Sequence, residues 1–267
     1  MTESDAAPAD RAPRADFVQS LARGLAVIRV FDGEPADLSL AEVARRADIP
    51  RAAAGRFLRT LEQLGYVRAN DSGRFALTPR VLELGYGYMS SLSLPEIVQP
   101  HLDALSHRIG ESVSVSVLDD ADIVYVARAA ARRIMSVRIT IGTRLPAFAT
   151  SMGRVLLAGM PVPEVSRLLA SAPLQAFTPR TTVVPAELVV VLDTVREEGW
   201  AMVDGELEEG LRSIAVPLRG RDGAAMAALN VSTSTARGAA DEVRAELLPE
   251  LQQTASAINA ELRSVPV

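Results

Sequence analysis

The segment FATSMGRVLLAG has the arrangement best suited to holding an anion. Ser151 is a natural N-cap, and the amides of Met152 and Gly153 behind it would face outward at the positive end of a helix dipole, where a carboxylate or phosphate is favoured. Gly153 would let such a ligand come close to the backbone. The same residues also describe an ordinary capped helix. A second cluster, WAMVDGELEEGLRSIAVP, crowds Asp204, Glu206, Glu208 and Glu209 into an interval between strands. Paired carboxylates suit acid–base catalysis, yet four acids on a surface loop are more often simply solvated. A serine hydrolase built on Ser151 lacks the G-x-S-x-G elbow, and neither histidine stands in a triad context. Those histidines, His101 and His107, would point about 240° apart on a helix, so they do not share a metal as an i, i+4 pair can. With no cysteine in the chain, disulfides, zinc-thiolate sites, Fe–S clusters and cysteine nucleophiles are excluded. Gly85 and Gly87 supply two thirds of a dinucleotide fingerprint but have no preceding strand. No catalytic residue, metal or cofactor is assigned.

A different chemistry is offered by arginine. The net charge of −5 conceals a split, with 11 Arg against 8 acidic residues from Arg14 to Arg80 and 16 Arg against 21 acidic residues from Tyr86 onward. Between Arg45 and Arg59 there are five Arg and one Asp, the local density that a footprint on DNA needs. A solvated helix face would carry the same charge. All 28 basic residues are arginine, whose fork of donors suits phosphate and guanine.

The elements that position these groups follow from periodicity. Residues 1–15 are rich in Ala, Pro and charge without periodicity and read as a disordered arm. Phe17, Leu21, Leu25 and Ile28 place one apolar stripe on a first helix of about 15 residues. Ser39 and Glu42 form a capping box for a short second helix, Asp48 to Pro50 make a turn, and Pro50 suits the first position of a third helix ending at Gly65. On that third helix, a wheel with Leu58 at 0° puts Ala54, Leu61, Phe57 and Leu64 between about −40° and −120°, while Arg59, Gln63 and Arg56 fall between about 100° and 160°. Ala52 shares the polar angle near the N-terminal end, beside Arg51, where a recognition helix first meets base edges. YVRAN, DSG and RFALT then form a hairpin with Arg74 at its tip and Arg68 on its strand. Helix, helix, turn, helix and hairpin make a winged helix-turn-helix.

A helix restarting at Thr78 and Pro79 would link to a second domain, where Ser93 and Glu96 cap another helix stopped by Gly110. In ESVSVSVLDD the valines and serines alternate strictly, as in a half-buried antiparallel strand with Ser112, Ser114 and Ser116 on one face. Further strands are expected in IVYVARA, RIMSVRITIG, GLRSIAVPLR and AAMAALNVST, with helices from Ser151, from about Pro163, from Pro185 to Glu198, and from Ala239 to Leu262. The fold class is α+β, with an antiparallel sheet in the second domain. The expected domains are a disordered arm at 1–15, a winged helix-turn-helix at 16–78, a linker helix at 79–94 and an effector-binding domain at 95–267. The N-terminus lacks a basic start followed by an apolar stretch, and nowhere do 18 apolar residues run together, so the chain is expected to stay in the cytoplasm, away from membranes.

The front of the chain, QSLARGLAVIRVFDG followed by SLAEVARRADIPRAAAGRFLRTLEQLGYV, resembles the IclR family of bacterial transcriptional regulators. GTRLPAFATSMGRVLLAGMP and VDGELEEGLRSIAVPLR resemble that family's effector-binding domain. PRAAAGRFLRTL, LPAFATSMGRVLLA and ELEEGLRSIAVP look most like the subgroup controlling β-ketoadipate pathway genes, whose members respond to protocatechuate, 4-hydroxybenzoate or β-ketoadipate. The resemblance implies a GAF/profilin-like effector domain and a dimer through the N-terminal domains, often paired into tetramers. It carries pocket roles onto Thr150, Ser151, Met152 and Gly153, onto Asp204 and Glu206, and onto Ser213 and Ser232. The chain departs from the family in having Ala53 and Ala54 where many members have Ser-Thr, and Gly55 where the subgroup tends to be basic.

These readings converge on a homo-oligomeric DNA-binding regulator controlled by a small carboxylic acid of aromatic catabolism. Arg51, Ala52, Arg56, Arg59, Gln63, Arg68 and Arg74 are its expected DNA-binding residues, with Arg56 and Arg59 in a major groove and Arg74 reaching backbone or minor groove. The partners implied are double-stranded operator DNA, the acid effector and further copies of the chain. The alternatives are a constitutive architectural DNA binder, which leaves the acidic second domain without a purpose, and an enzyme with an appended DNA-binding domain, which lacks a nucleophile–base pair.

Overall fold

The computed structural model describes residues 17–32, 36–84, 94–131 and 139–264. The chain divides into two compact units, Met1–Ser91 and Leu92–Val267. The first is built from α1 (Gln19–Arg29), β1 (Asp37–Leu38), α2 (Leu40–Arg46), α3 (Arg51–Gln63) and the hairpin β2 (Val67–Ala69) and β3 (Phe75–Leu77). β3 pairs antiparallel with both β1 and β2, so a three-stranded wing closes one side of a three-helix core. That core holds Val27, Leu38, Val43, Ala54, Leu58 and Leu61.

Local chemistry explains the boundaries. Ser39 accepts from the Glu42 amide at 3.3 Å while the Ser39 amide donates to Glu42 at 2.7 Å, the expected capping box. The Ser39 hydroxyl and amide hold the Glu42 carboxyl below its usual range, with help from Arg74 and Arg46. Pro50 sits one place earlier than the sequence suggests: it is the N-cap of α3, and its carbonyl accepts from Ala53 and Ala54 at 2.8 and 3.0 Å. Gly65, at φ +82°, ends the helix in the left-handed region that glycine tolerates. β1 has no counterpart among the expected elements, because two residues are too few for a periodic signal. The stripe on α1 differs more. Phe17, Leu21 and Leu25 are 55%, 62% and 46% exposed, and Val27 and Val30 turn inward instead. Leu64, read as core, is the exposed C-cap of α3.

The second unit contains α4 (Leu94–Ile109), β4 (Ser112–Asp119), β5 (Asp122–Ala129), β6 (Arg144–Pro146), α5 (Ser151–Ala158), α6 (Val162–Ser171), α7 (Pro185–Glu198), β7 (Ala201–Asp204), β8 (Leu211–Arg219), β9 (Ala225–Ser234) and α8 (Ala240–Ser264). Its strands run in the order β6-β5-β4-β9-β8-β7, and every pairing is antiparallel. The α+β class and the antiparallel sheet are as expected. Most of the strand anticipated in RIMSVRITIG and most of the linker helix lie outside the described residues, as does Ser93 of the second capping box; residues 139–142, the end of that expected strand, are not strand but a turn leading into β6. β7 falls in the acidic interval that the sequence presents as loop.

One face of the sheet packs on α4 and α8 through Val113, Val115, Leu229, Leu102 and Leu251, and the other on α5 and α7 through Tyr125, Leu157, Leu188 and Ala215. The serine face of β4 is therefore not half-exposed: Ser112, Ser114 and Ser116 are all buried, because α5 covers the side that alternation assigns to water. Among the described residues no helix is long and apolar enough to cross a membrane, and no group of three His, Cys, Asp or Glu is placed to hold a metal.

Candidate functional site

On the first unit, α3 turns Ala54, Gly55, Leu58 and Leu61 inward and leaves Arg51, Ala52, Arg56, Arg59 and Gln63 exposed along the opposite side. Arg68 is also exposed on β2. Arg51, Arg56, Arg59 and Arg68 form no ion pair among the described residues, so their charge is unneutralised and faces outward. Arg74 behaves differently. The hairpin turn is organised by Asn70, whose Oδ1 accepts from the Ser72 and Arg74 amides at 3.1 and 2.9 Å, with Gly73 at φ +72°. The Arg74 side chain then folds back from the tip onto the wing, donating to Asp37 Oδ1 at 3.1 Å and the Asp37 carbonyl at 2.9 Å, with Glu42 at 3.2 Å. The expectation of a free wing-tip arginine is corrected, because two carboxylates distant in sequence already hold it.

On the second unit, the start of α5 concentrates contacts at successive residues. Thr150, extended at φ −122° and ψ 146°, is the N-cap and accepts from the Gly153 amide at 3.1 Å; Ser151 is already helical. The expected cap is thus displaced by one residue, and the outward amides are those of Ser151 and Met152 at the first two helical positions. The Ser151 hydroxyl donates to Ser213 Oγ on β8 at 2.9 Å, and Met152 Sδ accepts from Ser116 at 3.2 Å. Gly153 does not face a ligand. A Cβ there would lie 2.1 Å from the Ala147 carbonyl oxygen and 2.3 Å from its Cα, so the glycine exists to let the preceding turn pack against α5.

The acidic segment also has a structural use. Glu206 accepts from Arg154 Nη1 and Nη2 at 2.7 and 2.6 Å and from the Thr182 amide at 3.0 Å, while Arg154 Nε donates to the Phe148 carbonyl at 2.9 Å. The Arg154 side chain is buried at 4% exposure and that of Glu206 is largely buried at 12%. Asp204 accepts from Arg212 at 3.1 and 3.0 Å, with Arg180 at 4.0 Å. Asp204 and Glu206 therefore bind arginines of their own chain and do not line the cavity beside them. The reading of this cluster as solvated acids is likewise corrected for these two residues.

That cavity, of about 20 Å³, lies under the start of α5. This is room for about one water. Thr150, Ser151 and Met152 form one side, Ile139, Leu207 and Leu211 another, and the sheet contributes Ser213, Ser232, Asn230, Val203 and Tyr125. Ser213 and Ser232 are cross-strand partners, which is why two serines 19 residues apart reach one spot. Burial pushes the Tyr125 phenol up to about 12, against an opposing influence of Arg128, so it stays protonated as a donor. Of the expected pocket residues, the structure gathers Thr150, Ser151, Met152, Ser213 and Ser232; Gly153, Asp204 and Glu206 stand outside. The serines of β4 do not line it: Ser116 is engaged by Met152, and Ser112 Oγ accepts from the Ala131 amide at 3.1 Å. Asn230 and Tyr125 were not anticipated. A polar, strand-averse Asn inside the apolar run AALNVST, in phase with Ser232, was the available signal for the first.

Comparison with known proteins agrees with both halves. Residues 20–71 match the IclR helix-turn-helix domain and residues 86–260 match the bacterial transcriptional regulator IclR C-terminal family. The chain is 45% identical over 237 residues to the Pca regulon regulatory protein of Pseudomonas putida, covering 88% of this chain and 81% of that one. Among solved structures, a Rhodococcus sp. RHA1 protein is 55% identical with a TM-score of 0.81, covering 92% and 98% of the two chains. An IclR homolog from Microbacterium hydrocarbonoxydans, complexed with 4-hydroxybenzoate, is 26% identical with a TM-score of 0.81 and coverage of 92% and 100%.

Proposed function

The chain belongs to the IclR family of bacterial transcriptional regulators, and from that premise we propose that it is a homo-oligomeric regulator of aromatic-acid catabolic genes that binds operator DNA through α3 and an aromatic carboxylic acid beneath α5. The observation that carries the DNA half is the unpaired exposed arginine face of α3, set against a second unit whose Arg154, Arg212 and Arg237 are all tied to carboxylates. Arg56 and Arg59 read bases in the major groove, while Arg51 and Arg68 contact phosphate. A second copy covers the apolar stripe of Leu21 and Leu25 on α1 together with Phe17 just before it, which one chain leaves exposed at i, i+4, i+8 spacing. A two-fold dimer built this way reads a repeated half-site.

The effector's carboxylate meets the Ser151 and Met152 amides, and the hydroxyls of Ser213 and Ser232 meet its other polar atoms. A cavity of about 20 Å³ does not hold an aromatic ring, so binding requires outward movement of its walls. Because the ligand binds only the opened arrangement, it shifts the population between the two. Compounds such as 4-hydroxybenzoate and protocatechuate have the required chemistry.

The test is fluorescence anisotropy of labelled promoter DNA with the full chain, with and without each acid. Arg56→Ala and Arg59→Ala are each expected to cost about 1–3 kcal/mol on the cognate site and to relax preference at one base pair. Both acids are expected to alter the DNA affinity of the unmodified chain and to raise its melting temperature, by about 2.7 kcal/mol of stabilisation at 100 times Kd. Wild-type affinity in both variants, or indifference to every aromatic acid, refutes the corresponding half.

A further inference from the structure

Asn230 is 3% exposed, sits on β9, and lines the cavity under α5. Its Nδ2 donates to Ser232 Oγ at 3.1 Å, but its Oδ1 is buried with no hydrogen-bond partner among the described residues. A buried unsatisfied carbonyl is uncommon, since each carries the full desolvation cost of the group. The other polar side chains around the cavity are of another kind: Thr150, Ser151, Ser213, Ser232 and Tyr125 carry hydroxyls that donate or accept, with Thr150 already capping α5 and Ser151 and Ser213 already bonding one another. Asn230 Oδ1 can only accept. A carboxylate oxygen placed against it would be repelled, whereas a ligand O–H would satisfy it.

We infer that Asn230 is a specificity-determining residue of the effector site, its Oδ1 accepting a hydrogen bond from a hydroxyl on the ligand and thereby selecting hydroxylated aromatic acids over unsubstituted ones. The inference rests on the acid-effector reading above and adds the second anchor. The amides of Ser151 and Met152 fix the anionic end; Asn230 requires a donor elsewhere on the same molecule. The cost of leaving both the carbonyl and the ligand hydroxyl unpaired makes such a site discriminate more by rejection than by attraction. An orientation follows as well, with the carboxylate directed away from Asn230 and toward the start of α5.

The experiment is isothermal titration of the full-length chain with 4-hydroxybenzoate, 3-hydroxybenzoate, the two corresponding fluorobenzoates and benzoate. Fluorine matches the hydroxyl in position and polarity but donates nothing. The unmodified chain is expected to bind at least one hydroxy acid about 10- to 100-fold more tightly than its fluoro counterpart. Asn230→Leu, with the same branched outline and no polar atoms, is expected to reduce that ratio to less than about threefold while retaining carboxylate-dependent binding. The ligand series on the unmodified chain stands whether or not the variant folds. Equal binding of hydroxy and fluoro acids, as an amide turned to present Nδ2 to the ligand would give, overturns the inference and leaves the acid-effector reading intact. A preserved hydroxyl preference in a folded Asn230→Leu chain also overturns it. Failure of every acid to bind while operator binding persists removes both.

Discussion

Glu206→Ala isolates the ion pair that fastens α5 to the segment between β7 and β8. Five donors converge there: Arg154 supplies two bonds at 2.7 and 2.6 Å, the Thr182 amide a third at 3.0 Å, and the Glu206 backbone carbonyl takes the Thr181 and Thr178 hydroxyls at 2.6 and 3.4 Å. Truncation removes the first three and strands a guanidinium whose side chain is only 4% exposed, with its Nε alone still bonded to Phe148. Removing one partner of a buried pair costs about 3–5 kcal/mol, most of it the uncompensated charge left behind. For a unit of this size that corresponds to a fall in Tm of roughly 6–20 °C. Trp200 is the single tryptophan and lies in the second unit, beside the Arg244 guanidinium at 5.5 Å, so its fluorescence in a urea titration reports this unit alone. Arg154→Met combined with Glu206→Leu is expected to recover a large part of the loss, because no buried charge then remains. A Glu206→Ala chain within about 1 kcal/mol of the unmodified one would refute the reasoning and return the acidic segment to the solvated class.

Gly153→Ala forces a methyl into the Ala147 backbone and is expected to cost the upper end of about 1–3 kcal/mol by the same fluorescence titration; an unperturbed midpoint would disprove the packing role. Arg74→Ala is expected to cost about 0.5–1 kcal/mol, since its pairs are a third exposed, and to leave the salt dependence of DNA binding unchanged, whereas Arg68→Ala lowers the slope by about one unit. A one-unit drop for Arg74→Ala would put that side chain on phosphate. Gly55→Ala is expected to stabilise the first unit by about 0.5–1 kcal/mol, because a Cβ there meets only ordinary contacts at 3.5 Å and beyond; slower hydrogen exchange across α3 measures it, and faster exchange refutes it.

Some of this protein is written in its sequence because the cause is local. The Ser39 capping box, the glycine stops at Gly65 and Gly110, the bounds of α7 at Pro185 and Glu198, and the side of α3 that carries Arg56 and Arg59 all depend on residues within a turn or two of one another. The family, too, is legible there, since its motifs are continuous segments. What the tertiary structure alone decided is which partner each side chain meets. Nothing local to Arg74 announces Asp37, nor does anything near Glu206 announce Arg154, 52 residues away. Gly153 is required by a backbone that folds against it, and the serine face of β4 is dry because α5 lies on it. The cavity joins β8 and β9 to the start of α5 through strand register, so the long-range pairing of Ser213 with Ser232 and the unsatisfied oxygen of Asn230 arise only once the sheet has closed. Charge and hydroxyl groups announce themselves by type, but whether each is spent on the fold or left for a ligand is settled by distance in space.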